Sequence, residues 1–337
     1  DEMVTGDHFH RTLLSDDPLA RLDDVENFGR AQLVDRMVDV LQRVRVQSSS
    51  SVLAVIGQWG SGKTTVLHEM KRRLQSPEGA EGAFPHPWSV ADFNPWLYSD
   101  AAALHAGFFE ALRDALPKDR RWKQTRQNLA KFGRRISPLA SIGQLAGLDG
   151  TQLANRLVDE LEPSATRQRK TIEDALKAGG HPVLMILDDL DRLSAEELVH
   201  VFKLVRLVGR LPNVYYLLSY DEHTLVDLLG KTDLVATNDQ RRALDYLEKM
   251  VQVRIDMPLL REHDVDRIVS DCLAFLSESH QLNVPVPELT SVVRVFDSLL
   301  SRRLRTPRAL KRVFGQMDAF LSAVGREVNF EDFVCVT

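Results

Sequence analysis

Eight consecutive residues, Gly57, Gln58, Trp59, Gly60, Ser61, Gly62, Lys63 and Thr64, match the pattern G-x-x-x-x-G-K-[ST] at every fixed position. Glycines in such a loop let the backbone curl until its N–H groups converge on an anion. The helix that follows adds the partial positive charge of its N-terminus. Lys63 would then reach the β- and γ-phosphates, the Thr64 hydroxyl would hold Mg²⁺, and Thr65 would lie beside them in the first helical turn. The elements needed to position these groups flank them in the right order. The apolar run Val52 to Ile56 leads in, and a helical pattern from Thr65 to Leu74 follows. Both flanks support a phosphate-binding loop over a chance glycine-rich turn, so the chain is expected to bind a nucleoside triphosphate.

The second chemical signal is Val183-Leu184-Met185-Ile186-Leu187-Asp188-Asp189-Leu190-Asp191-Arg192. An apolar run ending in acid predicts a buried strand with carboxylates at its C-terminal edge, where ligands of open α/β sheets bind. Asp188 suits the Mg²⁺ held by Thr64, and Asp189 suits a base that orients or activates the attacking water. Arg192 has two readings, a charge-stabilising finger or a partner of Asp189 or Asp191. A further strand ends Leu217-Leu218-Ser219-Tyr220-Asp221, where a polar side chain can sense a phosphate. For Asp221 the favoured reading is a cap on the next helix.

The wider chain is consistent with such an assembly. Its 337 residues suffice for one large domain or two ordinary ones, and 44% hydrophobic with 27% charged residues is ordinary for a soluble globular protein. A net charge of −5 argues against wholesale coating of nucleic acid. Cys272 and Cys335 lack metal-ligand spacing and read as buried thiols in a reducing, cytoplasmic compartment. No signal peptide or apolar run of transmembrane length is visible, so no membrane-spanning segment is expected. The chain opens at Asp1 without a methionine, which leaves room for a longer parent protein.

Residues 1–20 read as polar, turn-rich surface, and Asp23–Val44 as a helix. Parallel strands are expected at Ser51–Gly57, Trp88–Phe93, Pro182–Leu187 and Asn213–Ser219, with an alternating fifth at Met250–Met257. Between the second and third strands a largely helical insertion covers about residues 100–178. Its uncharged stretch Ile136–Leu148 is too short and too broken by Pro138 to span a bilayer. From His263 the pattern is wholly helical, with stripes at Val265–Leu276, Leu289–Leu300 and Leu310–Val324. The expected division is a nucleotide-binding core at 1–257 and a helical subdomain at 258–337.

Taken together, these segments resemble the KAP family of P-loop NTPases. The resemblance rests on the tryptophan-bearing loop at 57–64, Phe93-Asn94-Pro95-Trp96-Leu97-Tyr98, and the acidic strand end at Asp188–Arg192. Tyr220-Asp221, Tyr246-Leu247-Glu248-Lys249-Met250-Val251-Gln252 and Thr306-Pro307-Arg308-Ala309-Leu310-Lys311-Arg312 complete it, in the family's order and over about residues 20–320. It implies an α/β, additional-strand (ASCE-type) P-loop core with helices on both faces, a helical insertion and a C-terminal helical lid. It also implies an ATPase using ATP and Mg²⁺. Phe28-Gly29-Arg30 is similar to the element that borders the adenine in relatives, which makes Arg30 a candidate nucleotide contact beside the alternative of a surface arginine. Arg308 or Arg312 stands where relatives place a phosphate-sensing arginine. The alternative is a solvated basic face, because Arg302, Arg303, Arg305, Arg308, Lys311 and Arg312 cluster there. Many members carry transmembrane helices in the insertion. This chain does not, which points to the soluble bacterial type associated with defence against phage, beside an effector.

Trp59 has two readings, stacking on nucleotide or packing that stiffens the loop, and packing is favoured. Lys118–Arg135 holds eight basic residues against the single acid Asp119, with Trp122 and Phe132 interleaved. That segment could bind nucleic acid, face an acidic protein or membrane surface, or form a solvated helix face. Three functions follow: an ATP-driven switch that forms a homo-oligomer or engages an effector protein, a nucleic-acid-dependent ATPase or loader, and a nucleotide-bound scaffold. Intact Lys63, Thr64, Asp188 and Asp189 favour the first.

Overall fold

Five apolar runs become five strands, as the pattern predicts: β1 (Val52–Ile56), β2 (Ser89–Phe93), β3 (Val183–Leu187), β4 (Val214–Tyr220) and β5 (Val253–Asp256). They form one all-parallel sheet in the order β2-β3-β4-β1-β5. β1, β3 and β4 are buried along their whole length, which is why they read as continuous apolar runs. β5 lies at the sheet edge and alternates, with Arg254 and Asp256 exposed. Its Arg254 pairs with Asp256 and Glu222, which puts charge along that edge. β4 stands between β1 and β3, the inserted strand that defines the additional-strand class of P-loop folds.

The computed structural model describes residues 29–46, 50–76, 88–136, 163–232, 234–235, 239–281, 306–324 and 332–333. Residues 1–20, Phe28, most of Ile136–Leu148, Leu289–Leu300, Arg302, Arg303, Arg305 and Cys335, singled out above, lie outside them. The chain divides into two compact units. One comprises Asp1–Asp35, Gln58–Glu69 and Met257–Thr337, and the other Arg36–Gly57 and Met70–Asp256.

The α-helices before and between the strands are α1 (Arg30–Val46), α2 (Lys63–Leu74), α3 (Ala101–Ala115), α4 (Lys123–Ile136), α5 (Pro163–Gly179), α6 (Ala195–Val208), α7 (Glu222–Leu229) and α8 (Gln240–Met250). α3 to α5 form the expected insertion. In the sheet-bearing unit the core is continuous from the strands into this insertion and into α6–α8. Phe108 stacks near Tyr216 and meets Phe93 and Phe109 edge-on. Each buried side chain of this size is worth about 2–3 kcal/mol, so the core outweighs surface pairs such as Lys71–Asp92. Trp122 and Phe132 belong to this core at 4% and 3% exposure. The aromatics interleaved in Lys118–Arg135 are therefore packing residues, and the exposed side chains described in that segment are Lys118, Asp119, Arg120, Arg121, Lys123, Gln124, Gln127, Lys131 and Arg134. Gly179 lets Trp122 pack so closely, since a Cβ there would lie 2.0 Å from the indole.

The other unit contains α9 (Glu262–Ser279) and α10 (Pro307–Val324). Val265, Ile268, Val269, Cys272, Leu273 and Leu276 of α9 pack with Leu310, Phe314, Met317 and Leu321 of α10. Burial pushes the Cys272 thiol far above its ordinary range, which makes it an inert core residue. No helix among the described residues is long and apolar enough to cross a membrane.

Candidate functional site

β1 ends at Ile56 and hands the chain to the glycine-rich loop, whose first residue is tied back when the Gly57 N–H donates to the Tyr220 carbonyl at 3.2 Å. The loop then closes on itself, with the Ser61 N–H donating to the Gln58 carbonyl at 3.1 Å. Gly60 and Gly62 adopt φ of +80° and +92°. L side chains rarely tolerate these angles, so glycine is required at both positions for the backbone to curl. Lys63 opens α2, and the Val66 N–H donates to Gly62 to start the helical ladder. The first-turn N–H groups of Lys63, Thr64 and Thr65 therefore precede any intrahelical acceptor. Lys63 is 7% exposed, with its Nζ 3.5 Å from the Gln58 carbonyl. The Ser61 Oγ is buried without a hydrogen-bond partner, a polar atom left over at the cradle.

Arg30, the first residue of α1, is buried at 4% exposure, and this removes the surface-arginine alternative. Its guanidinium donates to the Ser61 carbonyl at 2.6 Å, and its Nε lies 3.3 Å from where a Cβ on Gly62 would stand. Burial lowers its pKa to about 10, opposed by the carboxylate of Asp264. Asp264, in the first turn of α9 and 5% exposed, also meets Arg261 at 3.2 Å and Arg267 at 3.7 Å. The sequence reading missed this buried acid. It starts an apolar stripe, where an acidic residue looks like an ordinary helix-start charge.

Thr306 accepts from the Ala309 N–H at 3.3 Å and caps α10, and Pro307 follows at the first helical position. Arg308 is thereby set against the loop: its N–H points to the Gly60 carbonyl at 3.4 Å. Its guanidinium lies 4.1 Å from the centre of the Trp59 ring, and that of Arg312 lies 5.5 Å away.

In the sheet-bearing unit β3 delivers Asp188 and Asp189 to the C-terminal edge of the sheet, the edge from which β1 also ends. The Asp188 Oδ1 accepts from the Asp189 N–H at 2.8 Å. Asp189 itself is left-handed, at φ 58°. Arg192 pairs with Asp189 at 3.2 Å, the second of its two readings. On β4, Ser219 is fully buried with its Oγ unpartnered, and Asp221 caps α7 by accepting from the Thr224 N–H at 3.3 Å. Gln252, quoted above only as part of a motif, accepts from the Val52 N–H at 2.6 Å and so clips the start of β1.

The loop, in one unit, offers curled backbone amides, a helix N-terminus, a buried lysine and a hydroxyl, the donors a polyphosphate needs. The end of β3, in the other unit, offers two neighbouring carboxylates. A model of the KAP family P-loop domain matches residues 30–324. Over 266 residues the chain is 26% identical to the phage T7 exclusion protein of Escherichia coli strain K12, covering 71% of this chain and 34% of that protein. The chain thus spans about a third of the length of this relative. Among solved structures, Aeropyrum pernix ORC2 in its ADPNP-ADP complexes is 14% identical with a TM-score of 0.44, over 96% of this chain and 69% of that one. The A. pernix ORC1 protein in complex with DNA is 12% identical with a TM-score of 0.44, over 97% and 68%. The match over most of its length, with the loop and the sheet order just described, shows that the chain belongs to the KAP family of P-loop NTPases.

Proposed function

We propose that the chain binds ATP with Mg²⁺, hydrolyses it, and serves as the regulatory switch of a multi-component anti-phage defence assembly, acting as a homo-oligomer or on an effector protein. The observation that carries the nucleotide part is the backbone of the loop: two glycines at positive φ, a closed turn at Gln58–Ser61 and a helix opening at Lys63. The defence part is supported by family membership and by the phage-exclusion relative.

In this reading the amides of Gln58–Thr65 cradle the phosphates, and Lys63 offsets the charge on the γ-phosphate. Mg²⁺ would supply positive charge against the phosphates. Thr64 and Asp188 are the residues that would hold it. Asp189 orients the attacking water and takes its proton. Arg308 senses the phosphates from the C-terminal helix.

The test is ATP hydrolysis and nucleotide affinity in wild type, Lys63→Ala and Asp188→Ala. Each substitution is expected to lower kcat by about 10²-fold or more, because it removes charge stabilisation made mostly in the transition state. Lys63→Ala should also weaken ATP binding, whereas Asp188→Ala should mainly abolish the dependence on Mg²⁺. Undiminished hydrolysis in either variant would sink the proposal.

A further inference from the structure

Trp59 is a bulky apolar residue in a loop that needs small ones, and it remains 49% exposed. If its purpose were to stiffen the loop by packing, its ring should be covered by apolar side chains. The ring instead stays half open and carries two cations. Arg308 lies over the ring at 4.1 Å and Arg312 at 5.5 Å. The two arginines are four residues apart on α10 and so share one helix face.

Their mount is capped and packed. Thr306 and Pro307 fix the start of α10, and Leu310, Phe314, Met317 and Leu321 anchor it in the core of its own unit. The approach is close enough that a Cβ on Gly60 would stand 2.7 Å from that of Arg308. Around Trp59 and the loop there are therefore Lys63, Arg30, Arg308 and Arg312, and the carboxylate of Asp264 acts electrostatically on Arg30. Such a concentration of positive charge suits a polyphosphate. A guanidinium held over an aromatic ring keeps its N–H donors in a restricted position, which a free arginine does not.

We infer that Trp59 is a positioning residue: it seats Arg308 and Arg312 over the phosphate loop, so that the first turn of α10 and the loop are held as one phosphate-recognising unit. The inference rests on the ATP-binding reading above and assigns the second variable residue of the loop a role in aiming the arginines rather than in touching nucleotide.

The test combines a double-mutant cycle with a nucleotide-free measurement. Trp59→Leu is expected to lower kcat for ATP about tenfold, the size of a partly desolvated cation–π contact, with Trp59→Phe within about twofold of wild type. Trp59→Leu made in the Arg308→Ala, Arg312→Ala background should add less than about a twofold loss, because the contact is already gone. Full additivity of the losses, or no rescue by Phe, would overturn the inference and return Trp59 to loop packing. The nucleotide-free arm reads Trp59 emission as the difference between wild type and Trp59→Phe, the other three tryptophans being common background. Removing both arginines is expected to change that difference spectrum, and an unchanged spectrum would overturn the stack. A wild-type protein that fails to bind fluorescent ATP would sink the functional reading, while the emission arm would still decide the stack.

Discussion

The glycine-rich loop and the acidic end of β3 solve the same backbone problem with different residues. Both must turn sharply out of a buried strand, and both use a left-handed conformation to do it. In the loop the left-handed residues are Gly60 and Gly62; after β3 the residue is Asp189. Glycine is the easier choice for such a turn, and the loop takes it because its backbone must approach a ligand and the first turn of α10 leaves no room for a Cβ at Gly60. At β3 an aspartate stands where glycine would fit without strain. A side chain kept at a conformationally unfavourable position marks a place where the side chain, not the turn, is wanted. The loop offers its backbone and the strand end offers its carboxylates.

Exchanging the residue types would test that difference most severely. Gly60→Ala places a Cβ at positive φ and against Arg308, so a stability loss of about 1–3 kcal/mol is expected, together with weakened nucleotide binding. Thermal melting and ATP titration measure both. Asp189→Gly should leave the melting temperature within a few degrees, since it trades left-handed strain for chain entropy. Its hydrolysis should fall about 10²-fold, the usual contribution of a positioned base. Equal losses of stability at the two sites would erase the contrast.

A smaller effect separates the two readings of Arg192. It is exposed and pairs with Asp189 at 3.2 Å, so Arg192→Ala should change stability by no more than about 0.5 kcal/mol. Hydrolysis within about threefold of wild type would make it a tether for Asp189, whereas a 10²-fold loss would make it a catalytic cation.

The smallest effect belongs to the sheet-bearing unit alone. Burial lowers the pKa values of His181 and His200, with the cations Arg45 and Lys203 adding to it. The unfolded chain therefore binds more protons than the folded one as pH falls through the ordinary histidine range, and stability falls with it. Melting from pH 7 to pH 5 should show a decline that His181→Gln reduces, because that variant keeps a polar partner for the Ser89 hydroxyl at 2.8 Å. A decline of equal size in the variant would exclude His181 as its source.

Legibility differed between the same two regions. The loop motif, both flanking elements and all five strands could be read directly, because the central strands are fully buried continuous apolar runs, while the edge strands β2 and β5 keep apolar residues beside exposed ones. The cap role of Asp221 was readable from its place before a helix. The burial of Trp122 and Phe132 was not, since a basic amphipathic helix presents the same string of residues whichever way its aromatics face. Nor was the burial of Arg30 against Ser61, or of Asp264, since partners far apart in the chain bury them.

The sequence by itself determined which chemistry is on offer: phosphate-cradling amides, a lysine, a hydroxyl and two carboxylates, each at the end of a strand or the start of a helix. Local spacing encodes that information, because strand, turn and helix N-terminus are all short-range structures. Only the tertiary structure decided the order β2-β3-β4-β1-β5, the seating of Arg30 against Ser61 and the placement of Arg308 and Arg312 over the Trp59 ring. Those contacts join residues tens to hundreds of positions apart, and burial in the folded chain, rather than any local pattern, brings them together.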